Sequence, residues 1–424
     1  TEEGILQETS IVVRDGKILA IGKNVHKQYP NAKTIDGTGM HLTPGIIDEH
    51  SHIAITRGVN EGGQAISAEV SIGDVVKSND INIYRQLSGG VTAAQLLHGS
   101  ANPIGGQSAL IKLKWGYSPN QMLIPNADGF IKCALGENVK QSNWGAFNNV
   151  RFPQTRMGVE QVFHDGFNRA LAYKKQKAQG NYRMDLELET LLEIVEGKRF
   201  ISCHSYVQSE VNMLMKVADT FGFTINTFTH ILEGYKVADK MAAHGAGGST
   251  FSDWWAYKYE VRDAIPYNAS LMQEQGVVVA INSDDAEMAR RLNQEAAKGM
   301  KYGGMTEEQA LKMVTLNPAK LLHLDDRMGS IKKGMDADLV LWTDHPLSVQ
   351  AKAQYTLVDG EILFDREKDK ELQARDAAER ARIISLMLAD NKKGGKKKNA
   401  LPKKKGHWHC DSMGEEALME SNTH

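Results

Sequence analysis

The stretch Pro44–His52, PGIIDEHSH, holds the pair with the plainest chemical meaning: His50 and His52, two residues apart after a short apolar run. In an extended strand, residues i and i+2 point to the same side, so both imidazoles can reach one metal ion. Alone, such a pair is a weak signal. Its value rises because further ligand-type side chains end other apolar runs: His204 follows FISC, His230 ends TINTFTH and Asp284 follows VVVAINS. Any one histidine is more often a hydrogen-bonded structural residue than a ligand, roughly three to one, but five such placements together argue for a site.

Elements that could bring these residues together are legible between them. From Pro44 to Leu322, short apolar runs alternate with helical stretches such as Val159–Gln176 and Val211–Phe221, over about the length of a (β/α)8 barrel. The expected class is therefore α/β. Eight strands are predicted at Gly45–Ile47, Val91–Leu97, Ala109–Leu113, Phe130–Ala134, Phe200–Cys203, Thr224–Phe228, Gly245–Thr250 and Val277–Ile281. His50, His52, His204, His230 and Asp284 then fall at C-terminal strand ends, where barrels of this kind place their chemistry. Both chain ends carry β-rich pairs that turn at Asp-Gly: Ile11–Ile21 at Asp15-Gly16, and Thr356–Phe364 at Asp359-Gly360, preceded by Ala337–Trp342. These pieces are expected to form a small composite β-sandwich from residues 1–43 and 323–366, enclosing the barrel of residues 44–322. Because the chain opens directly before a hairpin, a preceding module in a longer precursor is a further expectation. Residues 367–424 read as a charged helix followed by a lysine-rich tail.

Bulk properties narrow the partners. Fifty basic and fifty-two acidic residues leave a formal charge of −2, so no overall field favours nucleic acid, and a hydrophobic content of 41% fills a large core. Cys133, Cys203 and Cys410 are odd in number and scattered, which excludes a disulfide framework. No run is long and apolar enough to span a bilayer, and no signal-peptide pattern opens the chain. A soluble protein, cytoplasmic or periplasmic, is expected, with a homo-oligomer left open. The run Lys392–Lys405 reads first as a solvated tail, with a phosphate-rich partner as the alternative, and His407, His409 and Cys410 make a weak soft-metal motif.

With the strand-end histidines and aspartate in place, the chain resembles the amidohydrolase superfamily. The runs FIKCALGENVK, TRMGVEQVF, HILEGYKVADK, INSDDAEMARRLN and LKMVTLNPAKLL are similar to its imidazolonepropionase-related branch. The likeness covers nearly the whole chain up to about Arg366. It implies metal-dependent hydrolysis of an amide, lactam or peptide C–N bond of a small, dipeptide-like substrate by one or two divalent ions, with zinc expected. It also implies that Asp284 is the general base and acid and that His230 binds a second ion or the substrate carbonyl. Two-ion members need an anionic bridge, and this sequence offers two: Lys132 in GFIKC, as a carboxylated lysine, or Glu137 in LGEN. Glu137 is slightly favoured because it is anionic without modification. Deaminases of the fold carry a glutamate three residues after the strand-five histidine; here that position is Val207, which argues against deamination. Tyr206, Trp254, Trp255 and Tyr257 could wall a substrate or simply pack, and Arg290 with Arg291 could clamp a carboxylate or lie on a helix surface. A catalytically inactive scaffold is the alternative from another class; it predicts eroded ligands, and all five are present.

Overall fold

The computed structural model describes residues 4–56, 58–141 and 151–392; the lysine-rich run beyond Lys392 and His407, His409 and Cys410 lie outside the described residues. Fifteen strands are numbered in chain order: β1 Ser10–Arg14, β2 Lys17–Gly22, β3 His41–Pro44, β4 Ile46–Ser51, β5 Val91–Leu96, β6 Ile104–Gln107, β7 Ala109–Lys112, β8 Gly129–Ala134, β9 Arg199–Ser205, β10 Thr227–His230, β11 Gly247–Thr250, β12 Val279–Ile281, β13 Leu339–Trp342, β14 Ala353–Val358 and β15 Glu361–Asp365. The central strands run in parallel as β4-β5 and β8-β9-β10-β11-β12, with helices such as Arg156–Ala178 and Gln208–Phe221 returning the chain between them. They are buried along nearly their whole length, as parallel strands covered on both faces must be.

One strand departs from expectation. Ala109–Leu113 was to be a parallel strand; instead β6 and β7, separated only by Ser108, form one bent segment that runs antiparallel to β8 through its first half and to β5 through its second. A parallel return needs a crossover of a dozen or more residues. Only seven residues separate β5 from β6, so the chain comes straight back. Past the other edge, the Ser283 and Asp284 amides donate to the Asp48 carboxylate at 3.0 Å and the His50 carbonyl at 3.1 Å, tying the end of β12 to β4.

The chain ends meet in a four-stranded antiparallel sheet, β15-β14-β13-β3, while β1 and β2 pair with each other. Both Asp-Gly turns form as their residues demand: Asp15 and Gly16 have φ of 51° and 76°, Asp359 and Gly360 49° and 76°, the doubly left-handed turn that suits strand twist. Between the hairpin and the larger sheet, Ile18 packs with Met335, Ala337, Leu339 and Leu357. Beside them Lys112 from β7 is buried among Asp336, Asp338 and Asp359, with Lys17, Lys114 and Arg327 around the rim. Three carboxylates so close resemble a cation site, and the lysine already occupies their centre. Before β4, Gly45 lets the backbone approach strand β5: a Cβ there would lie 2.0 Å from Thr92 Oγ1.

Candidate active site

His50 stands at the centre of the site. Its Nε2 is 3.2 Å from His52 Nε2, 3.3 Å from Asp284 Oδ1 and 3.1 Å from Lys132 Nζ. His52 Nε2 is 3.2 Å from the same Asp284 oxygen, and His230 Nε2 is 3.7 Å from Asp284 Oδ2. Donor atoms of His50, His230 and Asp284 all lie within 4.8 Å of one another, and all three residues are buried. His204 is at the edge of the group, its ring 4.7 Å from that of His230 in an edge-on contact. The far ring nitrogens are fixed from behind. His52 Nδ1 donates to the Leu97 carbonyl at 2.9 Å and His50 Nδ1 meets the Thr229 hydroxyl at 2.7 Å, which leaves both Nε2 atoms turned to the cluster.

Electrostatics favour a cation in the middle. Burial, aided by Lys132, pushes His50 down to about 3, and burial holds His204 and His230 well below the usual imidazole range, so the three rings are neutral at pH 7. Burial opposes ionisation of Asp284, but the imidazoles of His50, His230 and His52 close to it carry its carboxyl well below the ordinary value. Neither ring nitrogen of His230 has a hydrogen-bond partner among the described residues. Neutral imidazoles and a carboxylate, buried and partly orphaned, are a donor set that fits a divalent metal ion.

Comparison with known proteins gives the same class. A sequence model of the Amidohydrolase family matches residues 208–364. The crystal structure of an amidohydrolase from Thermotoga maritima MSB8 is 31% identical, with a TM-score of 0.77 over 84% of this chain and 94% of that one. The chain belongs to the amidohydrolase superfamily. Amidohydrolase tasK of Hapsidospora irregularis is 30% identical over 78% of this chain, which spans only 37% of that relative's length; an imidazolonepropionase from Thermoplasma volcanium is 21% identical over 88% of this chain and 94% of its own. This amidohydrolase thus lies in the imidazolonepropionase-related branch, has the superfamily's TIM-barrel type of α/β fold, and is a metal-dependent hydrolase acting on carbon–nitrogen bonds.

The two bridge candidates stand on β8 and in the loop that follows it. Lys132 is fully buried on β8 with its Nζ against His50. Glu137 lies in the loop after β8, and its backbone N–H donates to the Glu260 carboxylate at 3.2 Å. The expected aromatic wall is mixed. Trp254 stacks on Phe251, Phe251 on His230, and His230 on Tyr206, so a column of rings backs the site; the Tyr257 hydroxyl donates to that of Tyr206 at 3.0 Å, and Trp255 is 44% exposed. Arg290 pairs with Glu287 on the surface, and Arg291, half exposed, lies 3.8 Å from the buried Glu295, both at helical spacing.

Three features went unread in the sequence. Lys258 places its ammonium 4.1 Å from the Tyr206 ring centroid, with Glu260 at 3.5 Å. Asp48 and Glu49 are both fully buried beside the histidines, and burial raises them to about 7 and about 8; Ser283 donates to Asp48, while neither carboxylate oxygen of Glu49 has a hydrogen-bond partner among the described residues. Two adjacent acids before an H-x-H pair are a signal in their own right, since acids are rarely buried without a role or a partner.

Proposed function

We propose that this amidohydrolase hydrolyses the amide, lactam or peptide bond of a small substrate at the His50 cluster, with His50, His52, His204, His230 and Asp284 holding one or two divalent ions. The nitrogen-rich donor set suits zinc. The observation that supports this best is the convergence of buried donor atoms on His50, His230 and Asp284, with both nitrogens of His230 left without a hydrogen bond among the described residues. An ion bound there acidifies water and polarises a carbonyl. Asp284 takes the proton from the attacking water and then delivers it to the leaving nitrogen, acting as base and acid in turn. His230, 3.7 Å from Asp284, would hold a second ion or hydrogen-bond the carbonyl oxygen as charge builds on it and the carbon becomes tetrahedral.

Lys132 is the better bridge. Its place against His50 suits a carbamate, which would form when the neutral amine adds carbon dioxide and releases a proton. Lys258 gives the aromatic side of the site a cation, which suits a substrate with a carboxylate, as a dipeptide-like molecule has. Deamination is disfavoured: Val207 packs among Tyr206, Leu232, Phe251 and Val261, where a deaminase would need a proton-shuttling glutamate. Metal analysis of protein purified without added ions, joined to a screen of dipeptides and cyclic amides, tests the reading. Activity that a chelator removes and a divalent ion restores is expected. Turnover that survives complete metal removal would end it.

A further inference from the structure

The helix Arg366–Lys392 leaves β15 and has no buried residue along its length. Near its end, Ile383, Ile384, Leu386, Met387 and Leu388 are between 40% and 62% exposed. At about 100° per residue they cover roughly half of the helix circumference. Five large apolar side chains in six consecutive positions are more than the scattered surface residues that need no explanation. The sequence that follows is as unusual: residues 392–405 contain eight lysines, and no acidic residue occurs from Lys392 through Cys410, a stretch that also includes Leu401 and Trp408.

We propose that this C-terminal arm docks the protein on an anionic lipid bilayer. Stable attachment at a membrane surface takes two signals, apolar side chains that enter the boundary and basic residues that meet anionic headgroups, and here they are consecutive in the chain. The net charge of −2 means that the attraction is local to the arm. Two other occupants fit less well. Nucleic acid would engage the lysines but gives bare isoleucine, leucine and methionine nothing to bury against. A second copy of the chain could cover the apolar turns, but residues 366–379 of the other helix, with four basic and five acidic side chains, offer eight lysines no strongly anionic surface.

The test uses the full chain with vesicles of phosphatidylcholine alone or with phosphatidylserine at about 3:1, in flotation assays. Binding to the mixed vesicles only is expected, falling about tenfold or more between roughly 0.1 and 0.5 M salt as the charges are screened. Ile384→Glu with Leu388→Glu should lower it by about tenfold or more, as should Lys396→Glu with Lys397→Glu and Lys398→Glu, and neither set should change hydrolysis of a soluble substrate, because neither includes a residue proposed to hold the ions or move the proton. Four results would overturn the proposal: no binding to mixed vesicles, equal binding to phosphatidylcholine alone, RNA binding in place of vesicle binding, or a dimer in solution that Ile384→Glu with Leu388→Glu dissolves. The proposal does not depend on the hydrolytic reading, so the two can fail separately.

Discussion

Asp284→Asn alters one atom of the cluster and can be worked through in some detail. Asp284 has a left-handed backbone, φ 47°, which asparagine tolerates as well as aspartate does, so the loop after β12 keeps its course. What changes is proton affinity: a neutral amide cannot accept the proton of the attacking water. General base catalysis contributes about 10²–10⁴-fold, so kcat should fall by that factor, or about 2.7–5.5 kcal/mol of barrier. The amide also turns an N–H toward either His50 and His52 or His230, replacing one acceptor that lies 3.2–3.7 Å from their nitrogens, so metal affinity should drop as well. Rates must therefore be compared at equal metal content per chain, measured on the same samples. Melting should change by only a few degrees, the scale of about 1 kcal/mol in a protein of this size or smaller. A variant within about tenfold of the parent in kcat at full metal loading would mean that another group takes the proton, and the assignment of Asp284 would be wrong.

Further outcomes follow from other parts of the structure. Lys132→Arg should strip metal and activity while Glu137→Gln leaves both nearly intact, as metal content and activity measured with and without bicarbonate would show; the opposite pattern would move the bridge to the loop. Lys258→Ala should raise KM about tenfold for a carboxylate-bearing substrate, with kcat little changed, and have no effect on a neutral cyclic amide. Lys112→Met should destabilise the fold by about 3–5 kcal/mol, less what Lys17, Lys114 and Arg327 make up, because it leaves buried carboxylates without their central cation. Burial opposes ionisation of Asp336 and Asp359, but Lys112 holds both below the usual range, so stability from this pairing is present above about pH 3.9 and lost as pH falls through the lower folded values. Burial likewise opposes charge on Lys112, and the three aspartates raise it nonetheless, so its contribution is lost on the alkaline side as pH climbs past about 10.4; melting curves of parent and variant should converge at both extremes. Truncation after Ala389 should shift Tm by no more than about 2 °C, since nothing in that helix is buried.

Much of the fold was legible because its cues are local. The Asp-Gly turns at Asp15 and Asp359 need two left-handed residues, and their sequence says so. The strands at Phe130, Phe200 and Val277 are apolar runs bounded by turns, and the structure shifts their ends by a residue or two. Direction is a different kind of information. Ala109–Leu113 has the composition of a strand whichever way it runs, and only the short connection from β5 forces it to be antiparallel. Charge alone favours Glu137 over Lys132 as the bridge; what the sequence does not carry is that Lys132, from the middle of a strand, sets its Nζ 3.1 Å from His50 Nε2.

The least legible feature is how His230 reaches its place. Along β10 the register pairs Thr229 with His204 and His230 with Ser205. Partners across a parallel ladder share a face, so a regular strand would send Thr229 to the side of His204 and His230 to the other. Thr229 obeys, and its hydroxyl meets His50. His230 does not: its ring lies 4.5 Å from that of His50 and 4.7 Å from that of His204. The backbone supplies the reason. His230 has φ 69° and Ile231 φ 21°, a left-handed bend that a β-branched residue rarely accepts, and it turns the last side chain of the strand back to the interior. A similar irregularity at β4, where the pairing slips between Asp48 and Ser51, lets the consecutive residues Glu49 and His50 both act on Lys132's surroundings. His230 stands out in the sequence because it ends an apolar run; the left-handed bend that turns its ring toward His50 leaves no trace in a period-two pattern. Residues held in such sparsely populated conformations cost about 1–3 kcal/mol each and persist where the surroundings over-determine them. Here the surroundings are the cluster itself, which places the strain at the two residues, His230 and Asp284, on which the proposed proton transfer and carbonyl contact depend.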